Sequence, residues 1–165
     1  MKKQINYKEI ILNYPWIVEK KQLAVLSPDT DGFLCGLLLS KYLDWKIVGF
    51  YDGKILQVQR GTSVKDCIFL DIEILRPNVR SLGHHMNIHN INQPPSNYHY
   101  IMKNCLNPNY LRRFDRAHCF AKKYPLGSIH FLLFILDNTY PGLVKIKKEG
   151  LGCIFFADGI WKILF

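Results

Sequence analysis

Two aspartates one residue apart, Asp29 and Asp31, follow a short apolar run and precede a glycine. A single aspartate before a helix is commonly an N-cap, because its carboxylate accepts hydrogen bonds from the first backbone N–H groups. A second carboxylate beside it adds like-charge repulsion unless a cation lies between the two. Mg²⁺ and Mn²⁺ prefer oxygen ligands of this kind. The pair therefore indicates a metal site, with helix capping as the simpler alternative.

Two further apolar runs end in residues that can bind a metal. Asp71 follows residues 66–70, and His84 and His85 follow residues 79–83. The C-terminal ends of parallel strands lie at one edge of a sheet, where open α/β proteins bind their ligands. Mixed aspartate and histidine ligands suit Mn²⁺ or Mg²⁺, and a pair of such ions suits phosphoryl hydrolysis. We therefore expect the acidic and histidine side chains to converge at this edge.

Hydrophobic periodicity predicts the elements that position these residues. Residues 22–27 have the pattern of a buried strand, and residues 31–43 have apolar positions at helical spacing, with Thr30 or Asp31 as the N-cap. The same patterns predict a lead-in helix over 5–20 interrupted at Pro15, strands over 46–51, 66–70 and 79–83, a long loop over 86–109, and helices over 110–123 and 126–138. Strands joined by helical or loop crossovers predict one α/β domain over residues 1–165 with a mainly parallel sheet.

Composition and charge narrow the class of partner. The chain has 165 residues, of which 48% are hydrophobic and 21% charged, as expected for a globular domain with its own core. The formal net charge is +9. A basic surface predicts a polyanionic partner, most often nucleic acid. Acidic metal-site residues on a basic protein therefore indicate phosphate chemistry.

The cysteines and the hydropathy pattern bear on the compartment. Five cysteines are scattered along the chain without a C-x-x-C pair, which is typical of a reducing compartment rather than of a disulfide scaffold. The sequence has no apolar stretch of transmembrane length and no signal-peptide pattern. These features predict a cytoplasmic protein that does not bind a membrane.

Three short stretches, "SPDTDG", "FLD" and "GHH", occur in this order along the chain. They resemble the ordered motifs of the DHH phosphoesterase superfamily, which includes RecJ-type single-strand exonucleases, oligoribonucleotide and cyclic-dinucleotide phosphodiesterases, and family II inorganic pyrophosphatases. The resemblance covers about residues 22–160. It implies a Rossmann-like catalytic domain of the DHH type, in which helices flank a mainly parallel sheet.

The resemblance also implies a role for each matching residue. Asp29 and Asp31 match ligands of the first motif, one for each of two Mn²⁺ or Mg²⁺ ions. Asp71 matches the aspartate that bridges both ions, and His84 matches the ligand histidine of the third motif. His85 matches the neighbouring histidine, which contacts the scissile phosphate and is the expected catalytic residue.

The fourth motif of the superfamily is an aspartate that follows a helical segment. "FFADGIWKIL" resembles its apolar run into Ala-Asp, which favours Asp158 as a further metal ligand. "LLFILDNT" offers Asp137 as the alternative. We prefer Asp158, because apolar flanks on both sides suit a buried ligand.

The chain departs from the superfamily pattern at several positions. Val25 and Ser27 occupy the places of an upstream histidine or aspartate, and Gly83 occupies the place of the third motif's leading aspartate. Only 13 positions separate Asp71 from His84, which leaves little room for a crossover helix. Glu73 could replace a lost ligand, although we expect it on the solvated surface.

These features leave more than one function open. The resemblance implies metal-dependent hydrolysis of phosphodiesters in single-stranded nucleic acid or short oligonucleotides. The departures favour a degenerate domain that binds nucleic acid or a nucleotide without cutting it. A small-molecule phosphatase or pyrophosphatase is a third alternative. The superfamily's usual C-terminal substrate-binding domain is not recognisable here, and the apolar last residues leave open a longer parent chain or a larger assembly.

Overall fold

Short apolar runs bounded by turns form six strands of one sheet in the computed structural model, which describes residues 5–157. The strands are β1 (Leu23–Leu26), β2 (Lys46–Tyr51), β3 (Leu56–Val58), β4 (Cys67–Leu70), β5 (Arg80–Leu82) and β6 (Cys105–Leu106). Their order across the sheet is β3-β2-β1-β4-β5-β6. Every neighbouring pair is parallel except β2 and β3, which form an antiparallel edge.

Six helices in the described part of the chain accompany the sheet. They are α1 (Tyr7–Asn13), α2 (Thr30–Leu43), α3 (Tyr98–Met102), α4 (Pro108–Leu111), α5 (Ser128–Thr139) and α6 (Lys148–Phe156), with 3-10 turns at Pro15–Ile17, Val64–Asp66 and Phe120–Lys122. Within residues 5–157, no helix combines the length and the apolar character needed to cross a bilayer. The architecture is α/β, with helices flanking a mostly parallel sheet, and is consistent with a Rossmann-like arrangement.

Alternating residues of the central strands face two different apolar clusters, as the two-residue period of a strand requires. Ala24 and Leu26 belong to the larger cluster, together with buried residues of α2 and α5. Val25 and Phe69 belong to a smaller cluster. Helix α5 packs against both α1 and α2. The central strands are therefore buried on both faces, and β4 is buried along its whole length.

The connections place a topological switch between β1 and β4. From β1 the chain passes through α2 to β2 on one side, and it later returns to β4 on the other side of β1. The strands adjacent to the switch end at Leu26 and Leu70. Because loops diverge at such a point, a crevice forms beyond the carboxyl ends of the strands, and ligands bind there. The acidic residues that follow β1 and β4 therefore stand at the position where this fold class forms sites.

Most of the predicted elements are confirmed. The predicted strands over 22–27, 46–51, 66–70 and 79–83 correspond to β1, β2, β4 and β5, and the predicted helices over 31–43 and 126–138 correspond to α2 and α5. The lead-in helix ends before Pro15, as expected. Residues 71–79 join β4 to β5 as bends and turns, in agreement with the short spacing between Asp71 and His84.

Three predictions are wrong. The helix expected over 110–123 is replaced by the short α4, a series of turns and a 3-10 turn, because residues 115–119 wrap around the buried Asp115 carboxylate instead of continuing a helix. The loop expected over 86–109 contains α3, β6 and the start of α4. The N-cap of α2 is Asp29, rather than Thr30 or Asp31.

Candidate metal centre and phosphate cleft

The corner between β1 and α2 is built around Asp29. Its carboxylate accepts a hydrogen bond from the backbone N–H of Gly32 (2.9 Å) and another from the Ser27 hydroxyl (2.7 Å). A side chain on Gly32 would overlap the carbonyl oxygen of Ser27, so only glycine allows the first turn of α2 to lie so close to β1. Asp29 therefore caps the helix, as the simpler interpretation holds, while its exposed side chain remains accessible to solvent.

Asp31 has a different partner, the N-terminus of α5. Its buried carboxylate accepts backbone N–H groups from Ser128 (2.6 Å) and Ile129 (2.7 Å). Gly127 makes room for it, because an added Cβ there would collide with the carboxylate. The positive end of the α5 dipole also stabilises this negative charge. Asp31 is thus a long-range cap that fixes α5 against the end of β1.

Ser128, the first residue of α5, links the carboxylates to a histidine. Its hydroxyl donates to Asp71 Oδ1 (2.7 Å) and lies 3.1 Å from His84 Nδ1. Since the hydroxyl proton is directed to Asp71, the network assigns the His84 contact as Nδ1–H donating to the serine oxygen. In a neutral imidazole, Nε2 then carries the lone pair, which is the form that binds metals.

Asp71 is held in a costly state. Its backbone has a φ of 60°, in the left-handed region that only a small fraction of non-glycine residues adopt. Its carboxylate is buried, and Oδ2 has no hydrogen-bond partner among residues 5–157. Burial raises the pKa of Asp71 well above its usual range, as do the charges of Asp31 and Asp29, while the Ser128 hydrogen bond lowers it. Strain and an unpaired buried oxygen at one residue point to a functional role.

Asp71, His84 and His85 form a group that could hold a metal ion. One potential ligand atom from each lies within 4.8 Å of the others. His85 Nδ1 is 3.9 Å from both Asp71 Oδ1 and Glu73 Oε2, and its side chain is 45% exposed, whereas His84 is buried. A buried carboxylate with an unpaired oxygen beside an imidazole suits a divalent cation. The donor set of one carboxylate and two imidazoles therefore fits a divalent metal ion.

The expectation that Glu73 lies on the solvated surface is wrong. Glu73 is buried, and its Oε1 accepts from the backbone N–H of Met86 (3.0 Å) and from Asn107 Nδ2 (2.8 Å). A Cβ built on Gly83 would lie 2.8 Å from the Glu73 carboxyl carbon. The carboxylate of Glu73 therefore occupies the space that a side chain at position 83 would need.

Asn109 fixes the backbone of the histidine pair from the opposite side. Its Nδ2 donates to the carbonyl oxygen of His84 (2.7 Å), and its Oδ1 accepts from the backbone N–H of Tyr124 (2.7 Å). Asn107 caps α4 through Asn109 N and Tyr110 N. The Asn-Pro-Asn stretch at 107–109 thus begins α4, and its asparagine side chains also support the site. The prediction of a loop over 86–109 did not anticipate this role.

A cleft of about 610 Å³ opens beside this cluster. Asp29, Asp71, Glu73, Arg76 and His85 are among the residues that line it. The cleft carries negative charge at the strand ends, and the exposed cation Arg76 stands at its wall. This arrangement can bind a cation and an anion side by side.

Four further positions from the sequence analysis have different outcomes. Asp158 lies outside the described residues, although its neighbour Ala157 is buried, with its carbonyl oxygen close to Gly127. Asp137 is exposed near the C-terminal end of α5, more than two helical turns from Ser128, and so cannot reach the cluster. Val25 faces the smaller apolar cluster, while Ser27 lines the cleft.

His130 is a further residue near the site that the sequence analysis did not consider. It lies in the first turn of α5, and its Nδ1 is buried with no hydrogen-bond partner in the described part of the chain. Burial lowers the pKa of this imidazole, and the nearby charge of Asp31 opposes that effect. The sequence feature that could have indicated His130 is its position two residues after Ser128, at the start of a predicted helix. Nothing in the sequence linked that helix start to Asp71.

No protein-family model, curated protein or solved structure shows a significant match to this chain. The resemblance to the DHH superfamily thus rests on the sequence motifs and stays an expectation.

The double hydrogen bond from Asp31 to α5 gives the first testable prediction. Asp31→Ala should lower the free energy of unfolding by about 2–4 kcal/mol, because it leaves two helix N–H groups buried and unpaired. Urea unfolding followed by tryptophan fluorescence measures this, since Trp16 and Trp45 are buried. Asp137→Ala, on the exposed end of the same helix, is the control and should change the value little. Equal effects of the two substitutions would contradict the capping role.

The raised pKa of Asp71 gives the second prediction. The folded protein keeps the Asp71 proton above pH 3.8, where the unfolded chain has lost it, so stability falls as pH rises. Asp71→Asn keeps an acceptor for Ser128 and removes this penalty. In EDTA at pH 8 it should therefore raise the free energy of unfolding, on the order of 1–3 kcal/mol, and the gain should shrink towards pH 5.

The matched control is Asp66→Asn, at the exposed opposite end of β4. It should leave urea unfolding unchanged at both pH values. An Asp71→Asn protein less stable than the native chain at pH 8 would show that the buried carboxylate carries no such penalty.

Proposed function

We propose that this chain is a divergent DHH-type phosphoesterase that hydrolyses phosphodiesters in single-stranded nucleic acid or short oligonucleotides, with Mn²⁺ or Mg²⁺ as cofactor. The observation that carries the proposal is Asp71, a strained and buried aspartate with an unpaired oxygen at the sheet's switch point, next to two histidines. The net charge of +9 supports a polyanionic substrate.

The metal would be held by Asp71 and His84, with Asp29 and Asp31 as further oxygen donors. Asp31 caps α5 with one hydrogen bond to each oxygen, and Oδ1 also accepts one from the Cys35 thiol (3.8 Å). Oδ2 therefore keeps a second lone pair that a metal ion could use. A bound divalent ion supplies Lewis acidity towards the phosphoryl group and its attacking water. It would also compensate the negative charge that raises the pKa of Asp71. Asp158 is the proposed ligand of the fourth motif.

His85 and Arg76 are the proposed phosphate contacts. Both line the cleft beside Asp71, and the exposed His85 ring can reach a group bound there. Donors aimed at oxygens where negative charge develops stabilise a phosphoryl transition state. The ring of His84 lies against that of His85, with 4.2 Å between the centroids, so the buried histidine orients the exposed one.

Glu73 is the proposed replacement for the leading aspartate of the third motif. Its carboxylate fills the space next to Gly83 and accepts the backbone N–H of Met86, just after the two histidines. The Glu73 carboxylate, from the loop between β4 and β5, would thus support the histidine pair in place of an aspartate at position 83.

The rival function is nucleic-acid or nucleotide binding without catalysis. One observation favours it. Both oxygens of Asp31 are engaged by α5, and neither Asp29 nor Asp31 belongs to the compact group formed by Asp71, His84 and His85. A site with a single weakly held ion would bind phosphate but catalyse two-metal hydrolysis poorly.

The proposal is tested by Mn²⁺-dependent hydrolysis of labelled single strands, dinucleotides and pyrophosphate. We expect the native chain to cut the first two, and Asp71→Ala to lose both activity and Mn²⁺ binding by calorimetry. His85→Ala should lower the turnover rate by about 10²–10³ while Mn²⁺ affinity changes less than tenfold, because His85 is assigned to the phosphate. Arg60→Ala, an exposed change outside the cleft, is the control.

One outcome would decide against the enzyme, and another would decide against the role assigned to His85. Nucleic-acid binding without metal-dependent cleavage above background would establish the rival function. If His85→Ala loses Mn²⁺ binding as completely as Asp71→Ala does, then His85 is a ligand and its proposed catalytic role is wrong.

The replacement of the leading aspartate by Glu73 gives a double-mutant prediction. Gly83→Asp alone should destabilise the protein by about 1–3 kcal/mol, because its side chain overlaps Glu73. Glu73→Ala alone should cost about 1–3 kcal/mol through the unpaired donors of Met86 and Asn107. The two substitutions together should cost at least about 1 kcal/mol less than their sum.

Urea unfolding of the four proteins measures this coupling. Gly152→Asp combined with Glu73→Ala is the control, since Gly152 has open space around it and the effects should add. Additive effects for Gly83→Asp and Glu73→Ala would mean that Glu73 does not stand in for a side chain at position 83.

A further inference from the structure

A second cavity lies under the long connection between β5 and β6. It adjoins the cleft that Asp71, Arg76 and His85 line. Its volume is about 370 Å³, within the range of small-molecule sites. It shares Glu73, Leu75 and Met86 with the cleft, so the two spaces meet across these residues. A ligand whose phosphate lies in the cleft could therefore extend into this cavity.

The cavity differs from the cleft in its chemistry. Its lining, as far as the described residues define it, contains no lysine or arginine, whereas Arg76 stands in the cleft. Apolar and aromatic side chains alternate with the amide groups of Asn87, Asn90 and Gln93. With the Glu73 carboxylate in its lining and no lysine or arginine among the described lining residues, the cavity does not attract a phosphate. It suits a flat heterocycle with donors and acceptors at its edge, because amide side chains match such an edge.

Tyr98 provides a fixed aromatic surface in the wall. Its ring packs edge-on against Tyr110, with 5.6 Å between centroids and 74° between planes, and it also contacts the ring of His99. Burial raises the pKa of Tyr98 to about 12. An aromatic ring held in this way can pack against a base whatever its sequence context.

Asn87 provides a directed polar group. Its Nδ2 donates to the carbonyl oxygen of His85 (2.9 Å), which fixes the orientation of the amide. Its Oδ1 is buried and has no hydrogen-bond partner within residues 5–157. A buried acceptor of this kind is unfavourable unless a donor reaches it. Asn87 lines the cavity and is hydrogen-bonded to the backbone of His85. A ligand N–H bonded to Asn87 Oδ1 would therefore be linked through Asn87 to His85, the proposed phosphate contact.

We infer that this cavity binds a nucleobase of the substrate, with Asn87 Oδ1 accepting a hydrogen bond from an N–H group on the base edge. The assignment of the ligand as a nucleobase rests on the proposed function. The inference adds that the substrate is a nucleotide or oligonucleotide rather than pyrophosphate. The base would lie against Tyr98, and its phosphate would lie in the cleft with Arg76 and His85.

The test uses nucleosides without phosphate and without metal, so that it does not depend on hydrolysis. Adenosine has an amino group on its base, and purine riboside is the same molecule without it. By ligand-observed NMR titration, the native chain should bind adenosine about tenfold more tightly than purine riboside, the effect of one hydrogen bond. Asn87→Leu should remove this difference.

Asn92→Leu is the matched control, an exposed asparagine of the same loop outside the cavity lining, and it should keep the preference for adenosine. Gln93→Trp should block both nucleosides, because Gln93 is an exposed residue of the cavity wall where a larger side chain can be accommodated. Ser96→Trp, exposed and outside the wall, should block neither.

Several outcomes would overturn the inference. One is the absence of adenosine binding to the native chain, and another is equal binding of adenosine and purine riboside. A third is binding that Gln93→Trp leaves unchanged. Mn²⁺-dependent cleavage of dinucleotides without nucleoside binding would retain the proposed function and remove the base site. Nucleoside binding without cleavage would support the base site and contradict the proposed hydrolase activity.

Discussion

The clamp between Asp31 and the N-terminus of α5 is the interaction on which the site depends. It joins the first turn of α2 to a helix nearly a hundred residues later in the chain, with two hydrogen bonds to one buried carboxylate. The clamp places Ser128, and the Ser128 hydroxyl in turn places Asp71 and His84. A single long-range contact therefore sets the relative positions of side chains from β1, β4 and β5.

Much of the fold could be predicted from local patterns, because strands and helices that are buried on an apolar face carry a clear period. This holds for β1, α2 and α5. The antiparallel β3 and the two-residue β6 carry too few apolar residues to show a period, and they exist because neighbouring strands offer them hydrogen bonds. The helix expected over 110–123 does not form. Local hydrogen bonds from the backbone of His118 and Cys119 to the Asp115 side chain compete with helical ones, and the same carboxylate also accepts from Ile91 N.

The site could be predicted only where a side chain directly follows a strand. Asp29, Asp71 and His84 lie at strand ends, so the sheet alone brings them to one edge. Ser128 and Glu73 are placed by hydrogen bonds between segments distant in sequence, and no spacing indicates such partners. The two aspartates of the first motif were expected to act as a pair, yet they cap two different helices.

The arrangement at Asp71 is hard to explain by stability alone. A neutral asparagine would satisfy Ser128 equally well at the same left-handed backbone position, without a carboxyl group whose ionised form burial disfavours. The neighbouring carboxylates of Asp31 and Asp29 make the charged form of Asp71 still less favourable. Such an array gains from a cation, because one divalent ion converts mutual repulsion into shared attraction. The same acidic edge would repel a phosphate approaching alone. Under the proposed function, Arg76 and a metal ion would therefore both be needed for a polyanion to bind there.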